Sequence, residues 1–341
     1  MTEDRKHASP AAALLDAARA GGPEALLAAK RAALLAERGD PALARQALAL
    51  VSKLEPLDPT PRLAAARLAA EQGDIAAARA EAEAVLSDAV DQAARARAAF
   101  MLGEIARMRS EWAAARGHFA LTLAIEDALL AADRANVTAA RWYARARGRL
   151  AELDAGEGRF DRARAGAEGA LALLRAGAAQ IGEPPVLAAD IADAELRLGA
   201  LDLDSDQPSQ ARRRFNEAIG RYEALAITEP DEPHWRAVLA DAWALAAEAD
   251  YVRGAHNEAR AAMDKALQAR VRLAAKHADE AWPLAATWRL RATLRAALGD
   301  NEVAAESLVQ ARALAETLCL RAGGAEAADR FLQQTLIDQA D

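Results

Sequence analysis

Three aspartates at alternate positions, Asp202-Leu203-Asp204-Ser205-Asp206, have the spacing with which a calcium-binding loop opens. Such a loop bends on a glycine at its sixth position and closes on a bidentate glutamate at its twelfth. Here those positions hold Gln207 and Arg213, so the run can neither turn around a cation nor complete its shell. A solvated turn that caps the following helix is expected instead. The five histidines (7, 118, 234, 256 and 277) share no ligand spacing, and the one cysteine, Cys319, has no second thiol to pair with. Cys319 lies among Leu314, Leu318 and Leu320 and reads as a buried structural thiol. GxxxxGK[ST], a strand followed by GxGxxG, and the GxSxG elbow are all missing from the sequence. Asn136-Val137-Thr138 fits a glycosylation sequon, but Asp16 interrupts the only apolar stretch that follows the first basic residues, so no export signal is read. No catalytic residue, metal or cofactor is expected, and the chain is read as not an enzyme.

What remains is recognition chemistry, and it is arginine chemistry. Of 43 basic residues only Lys6, Lys30, Lys53, Lys265 and Lys276 are lysines. A GC-rich bacterial genome accounts for much of that bias, yet a guanidinium fork also grips carboxylates bidentately where an ammonium cannot. The net charge of −8 argues against a uniformly basic nucleic-acid face. No run of apolar residues reaches the length of a membrane span. A cytoplasmic protein is the simplest reading.

The elements that must position these side chains are helices. The chain is 53% apolar but only 4% aromatic, most of the apolar share being alanine and leucine, and runs of β-branched residues are absent. Ser9-Pro10, Gly22-Pro23, Asp40-Pro41 and Thr60-Pro61 each set a capping residue before a proline, which predicts helices over roughly 10–20, 23–38, 41–54 and 61–72. Turns recur at Gly39, Gly73, Ser110, Gly158, Asp206, Gly254 and Gly299. Five residues after each comes Ala44, Ala78, Ala115, Ala163, Ala211, Ala259 or Ala304. Four further on comes Leu48, Ala82, Phe119, Ala167, Phe215, Met263 or Leu308. The step is 34 residues from Gly39 to Gly73 and 48 from Gly158 to Asp206, so later units are longer, with the added length placed in the helices, about two turns each. Pro184-Pro185, Pro230 with Pro233, and Pro283 are read as marking loops between units.

Residues 96–123 carry the fullest copy: Leu102-Gly103, Ala106, Trp112, Ala115 and Phe119. This unit resembles the tetratricopeptide repeat (TPR), and the likeness extends over roughly residues 23–322. The resemblance implies an all-α fold, a right-handed α-solenoid of about seven antiparallel helix pairs. On that reading residues 1–22 are a tail and short helix, 23–90 regular pairs, 91–322 extended pairs and 323–341 a capping helix and tail, all one continuous solenoid. The stretch 325–339 carries Asp329, Gln333, Gln334 and Asp338, polar residues suited to an outer end.

The resemblance further implies that the first helix of each pair lines a concave groove. Carried onto this chain, the groove positions are Arg67, Arg97, Phe100, Glu104, Arg107, Met108, Arg145 and Glu152, a mainly basic group, then Asp193, Leu196, Asp204, Asp241, Glu248 and Tyr251, a mainly acidic one. The Lys and Asn residues of the chaperone-tail carboxylate clamp are absent from these positions. The function implied is a non-catalytic scaffold or adaptor holding a peptide or helix of another protein, acidic where it meets the arginines, with no nucleic acid and no membrane insertion. The alternative is a ligand- or peptide-sensing regulator, although about twenty residues before the first pair are too few for a helix-turn-helix domain.

Overall fold

The computed structural model describes residues 9–37 and 39–321; the expected capping helix over 325–339 lies outside them. The chain divides into two compact units, Met1–Gly158 and Arg159–Asp341. The first holds α1 (Pro10–Arg19), α2 (Ala25–Ala36), α3 (Pro41–Leu54), α4 (Thr60–Glu71), α5 (Ile75–Asp88), α6 (Gln92–Met108), α7 (Trp112–Ala132) and α8 (Val137–Gly156). The second holds α9 (Phe160–Ile181), α10 (Pro185–Asp204), α11 (Pro208–Thr228), α12 (Pro233–Val252), α13 (His256–Ala274), a 3₁₀ turn (Ala278–Glu280), α14 (Ala281–Ala297) and α15 (Asn301–Arg321). No strand occurs among the described residues. Within each unit every helix packs chiefly on its neighbours in the chain, the nearest-neighbour stacking of a repeat array. The lengthening is in the helices: α4 and α5 have 12 and 14 residues, α10 and α11 have 20 and 21.

Helix starts follow the capping logic in part. Ser9 accepts from the Ala12 N–H at 3.2 Å and Asp40 from the Leu43 N–H at 2.9 Å. Gly22-Pro23 does not begin a helix; α2 starts at Ala25, and its N-cap Glu24 makes no side-chain capping bond. Thr60 is the first residue of α4 rather than its cap. Pro283 is not in a loop but in the first turn of α14, where its missing N–H has no intrahelical partner to lose.

Turns repeat more faithfully. Gly73, Ser110, Gly158, Asp206, Gly254 and Gly299 all have a left-handed backbone, with φ between 55° and 79°. In five of these turns the next N–H (Asp74, Glu111, Gln207, Ala255, Asp300) reaches back to the carbonyl five residues earlier at 2.8–2.9 Å, closing a Schellman motif. Gly39 is the exception: its turn is closed by the Asp40 N–H on Ala36 O, four residues back, at 2.7 Å.

The core is set by a second repeating device. A Cβ placed on Gly103 would stand 2.5 Å from Phe119 Cε1, and one on Gly199 would stand 2.3 Å from Phe215 Cε1. Both phenylalanines are fully buried. At the equivalent glycine position the other units have alanine, and the ring is then replaced. Ala66 clusters with Ala82, and Ala247 with Met263.

A third device locks neighbouring pairs. An arginine directly follows the small alanine in six of the seven units, and each reaches an acid in the next. Arg45 meets Asp74 at 2.9 Å, Arg79 meets Glu111 at 2.7 Å and Arg116 meets Asp154 at 2.8 Å in the first unit of the fold. Arg164 meets Asp202 at 2.5 Å, Arg212 meets Asp250 at 2.9 Å and Arg260 meets Asp300 at 2.6 Å in the second. Asp202 and Asp250 are fully buried. A buried carboxylate needs more than one partner, and each has two arginines: Arg214 adds to Asp202 and Arg253 to Asp250, both at 2.8 Å. Asp202 therefore does not sit in a solvated turn as its spacing suggested; it is the anchor of an ion-pair lock. Asp300 is held down at about 2 by its bonds to Arg260 and Arg295.

Candidate functional site

In the first unit α4, α6 and α8, the leading helices of consecutive pairs, line a cavity of about 500 Å³. Its floor is apolar: Leu63, Phe100, Met101, Ile105, Met108 and Trp142. Phe100 is wedged between Phe119 and Trp142, with centroids 5.4 Å away on both sides, and the Trp142 ring stands at 71° to it. Because Phe119 is fixed under Gly103, the Phe100 ring packed on it is held in place. A second, smaller groove of about 370 Å³ runs between α2, α3 and α4, over Leu34, Leu48, Val51 and Leu68. The two share Thr60 and Ala64, so they are continuous along α4.

Charge is arranged around that floor. Arg67 donates to Glu71 at 2.8 Å and to Glu37. Glu104 accepts from Arg149 at 2.8 Å and from Arg107 at 3.1 Å. Arg149 also holds Glu152 at 2.9 Å. The Arg145 guanidinium lies 4.8 Å from the Trp142 ring centre and 5.6 Å from that of Phe100, a double cation–π contact. Arg97, half-buried on the same wall, makes no hydrogen bond or ion pair among the described residues. The acids of the cavity are thus met internally, and Arg97 is a guanidinium of its wall that no described carboxylate bonds.

Of the expected groove positions, Arg67, Arg97, Phe100, Glu104, Met108 and Arg145 line this one cavity. Arg107 and Glu152 are not in its wall; they flank it through the Glu104–Arg149 network. Asp241, Glu248 and Tyr251 belong to the second unit, all on α12. There Asp241 accepts from Arg270, which is also bound to Glu280 at 2.5 Å, Tyr251 stacks on His256 at 6.1 Å, and Glu248 is exposed. Asp193 accepts the hydroxyl of the buried Tyr222, Leu196 packs beside the Phe215 core, and Asp204 is exposed. Sequence reasoning missed Trp142, which closes the floor. Its signal was an aromatic four residues before the buried Ala146 on the next leading helix.

No protein-family model matches the chain, and no curated protein matches it. Solved structures do. A signal-transduction ATPase with numerous domains and a tetratricopeptide repeat sensor, from Pyrococcus horikoshii, aligns with TM-score 0.59 at 13% identity over 99% of this chain and 53% of its own. The apo form of RapI aligns with TM-score 0.54 at 12% identity, over 83% of this chain and 97% of its own. A Rap protein complexed with Competence and Sporulation Factor aligns with TM-score 0.53 at 13% identity, over 96% of each. Among the described residues no helix is long and apolar enough to cross a membrane. Left-handed turns at repeat spacing, small-on-large helix contacts and these alignments agree on one assignment: the chain has the all-α solenoid fold of the tetratricopeptide-repeat-like proteins.

Proposed function

We propose that the protein is a non-catalytic scaffold or adaptor of the cytoplasm, whose first unit binds a peptide segment of a partner protein in the α4–α6–α8 cavity. The segment is acidic and apolar in alternation. An apolar side chain sits on Phe100, Met108 and Trp142 while a carboxylate meets Arg97. The observation that carries this reading is the cavity itself: an apolar floor of about 500 Å³ whose own carboxylates are already paired, with one guanidinium over. Aromatic floors with arginine rims are where binding energy concentrates. The Rap protein of similar fold is complexed with a factor, which supports occupancy of such a scaffold by a partner.

Affinity capture from the native host with the wild-type protein supplies a partner, and Arg97→Glu combined with Met108→Glu tests the site. Met108 is 59% exposed and Arg97 partly exposed, so neither side chain belongs to the buried core. A loss of affinity of about thirtyfold or more is expected, equivalent to about 2 kcal/mol. Unchanged affinity in the folded double variant refutes the site. The repeat sensor of the Pyrococcus protein favours a second reading, in which a ligand tightens the array. Ligand-induced compaction in solution scattering would select it.

A further inference from the structure

Glu126, on α7, is buried to 1% exposure, and its Oε1 has no hydrogen-bond partner. One turn earlier Thr122 donates to the carbonyl of Ala96 at 3.2 Å, which presses this face of α7 onto the turn of α6 that carries Arg97. The charged groups acting on Glu126 are Arg97 on α6, which favours its carboxylate, and Asp91 at the N-cap of α6, which opposes it. On α7 itself the adjacent acid is Asp127, which is exposed. On α8, the other helix packed against α7, the cations Arg141 and Arg145 have partners of their own, and neither acts on Glu126 as Arg97 does. Arg97 thus lines the cavity and acts through its charge on a buried carboxylate whose Oε1 lacks a bond.

We infer that Arg97 is the carboxylate-reading residue of the cavity and is traded between Glu126 and the ligand, so that filling the cavity with an acidic segment places a proton on Glu126. This rests on the peptide-binding reading above. Burial pushes the Glu126 carboxyl up to about 7, with Arg97 holding it down and Asp91 raising it further. A ligand carboxylate on Arg97 cancels the field that kept Glu126 ionised. Glu126 then takes a proton from solvent and becomes the neutral acid, and the ligand carboxylate replaces its negative charge beside the guanidinium. By reciprocity, acidic segments bind less well as pH rises through neutrality, because ionised Glu126 competes for Arg97.

The test follows the Glu126 carboxyl carbon by NMR in full-length protein labelled at glutamate, assigned with Glu126→Gln. Arg97→Met should raise the titration midpoint by at least one pH unit, a tenfold gain in proton affinity; an unmoved midpoint overturns the inference. The second arm adds saturating acetyl-(Asp-Leu)₅-amide and reads the Met101 and Met108 methyl signals as well. Shifted methyls with a raised Glu126 midpoint support the proposal. Shifted methyls with an unmoved midpoint overturn it while leaving the peptide reading intact. Unmoved methyls remove the peptide reading, and this inference with it. In Glu126→Gln the peptide affinity should lose its pH dependence and exceed that of the wild type at pH 8.

Discussion

Replacing Gly103 with alanine isolates the contact on which the cavity floor is built. The new Cβ would stand 2.5, 2.7 and 2.9 Å from three ring carbons of Phe119. Carbon atoms rest at about 3.5–4.0 Å, so the ring must retreat by about 1 Å. It has nowhere to go: Phe119 is fully buried and bounded by Phe100, Ala115 and Ala146. Overpacking of this kind costs about 1–3 kcal/mol, and the absence of slack argues for the upper end. Alanine returns about 1 kcal/mol of helix propensity. The net is a loss of about 2 kcal/mol, or about 4–8 °C in Tm for a domain of this size. Urea and thermal unfolding measure it, and a double-mutant cycle with Phe119→Ala tests the cause. With the ring gone, Gly103→Ala should become neutral or stabilising, giving a coupling of about 2 kcal/mol or more. A Gly103→Ala protein as stable as the wild type, or one equally destabilised in both backgrounds, refutes the reasoning.

Other outcomes follow from the same devices. Ser110 has φ of 59°, so Ser110→Gly should stabilise by about 0.5–1 kcal/mol and raise Tm, whereas Gly73→Ala at φ of 76° should lower it. Asp250→Ala removes a fully buried carboxylate shared by the part-buried Arg212 and the exposed Arg253 and should cost about 3 kcal/mol in urea unfolding. The half-exposed Arg45–Asp74 rung should cost less than about 1 kcal/mol when Arg45 is removed. Glu126 binds its proton up to about pH 7 when folded and only to 4.5 when unfolded, so between those values the folded state holds more protons and stability falls as pH rises. Glu126→Gln should therefore be more stable than the wild type at pH 8, by roughly 3 kcal/mol at most, with the gap closing towards pH 4.5; a constant gap across that window contradicts the assignment.

Much of the fold was legible because it rests on local chemistry that repeats. The aligned turn positions mark residues that must enter the left-handed region, and they do so even at Ser110 and Asp206, where no glycine advertises it. The Leu-Gly and Ala-x3-Phe halves at 102–103 and 115–119 name the two sides of one contact. The locks were not read from the sequence: Arg45, Arg79, Arg116, Arg164, Arg212 and Arg260 each follow the aligned alanine, but the acid each finds has no fixed spacing from it. It stands at the turn in Asp74, Glu111 and Asp300 and four residues before it in Asp154, Asp202 and Asp250. That choice depends on where a long side chain lands across a helix interface. Asp202 was misread for the same reason: its partners Arg164 and Arg214 lie 38 and 12 residues away. In the cavity, residue types could nominate Arg67, Arg97 and Arg145 but could not tell which was already engaged.

That distinction decides how the cavity can discriminate. Arg67 must release Glu71 and Glu37 before it can take a foreign carboxylate, and Arg145 must leave two aromatic faces. Each exchange trades one contact for another and returns little net affinity. Phe100, only 7% exposed and clamped by Phe119 and Trp142, pays no ordering cost on meeting an apolar side chain. On the proposed reading, affinity for apolar residues is preorganised by the Gly103–Phe119 contact, and preference for acid falls on Arg97. Arg97 has in turn only the field of Glu126 to give up. On the same reading the repeat architecture supplies the floor, and Arg97, unbonded among the described residues, sets what the floor will accept.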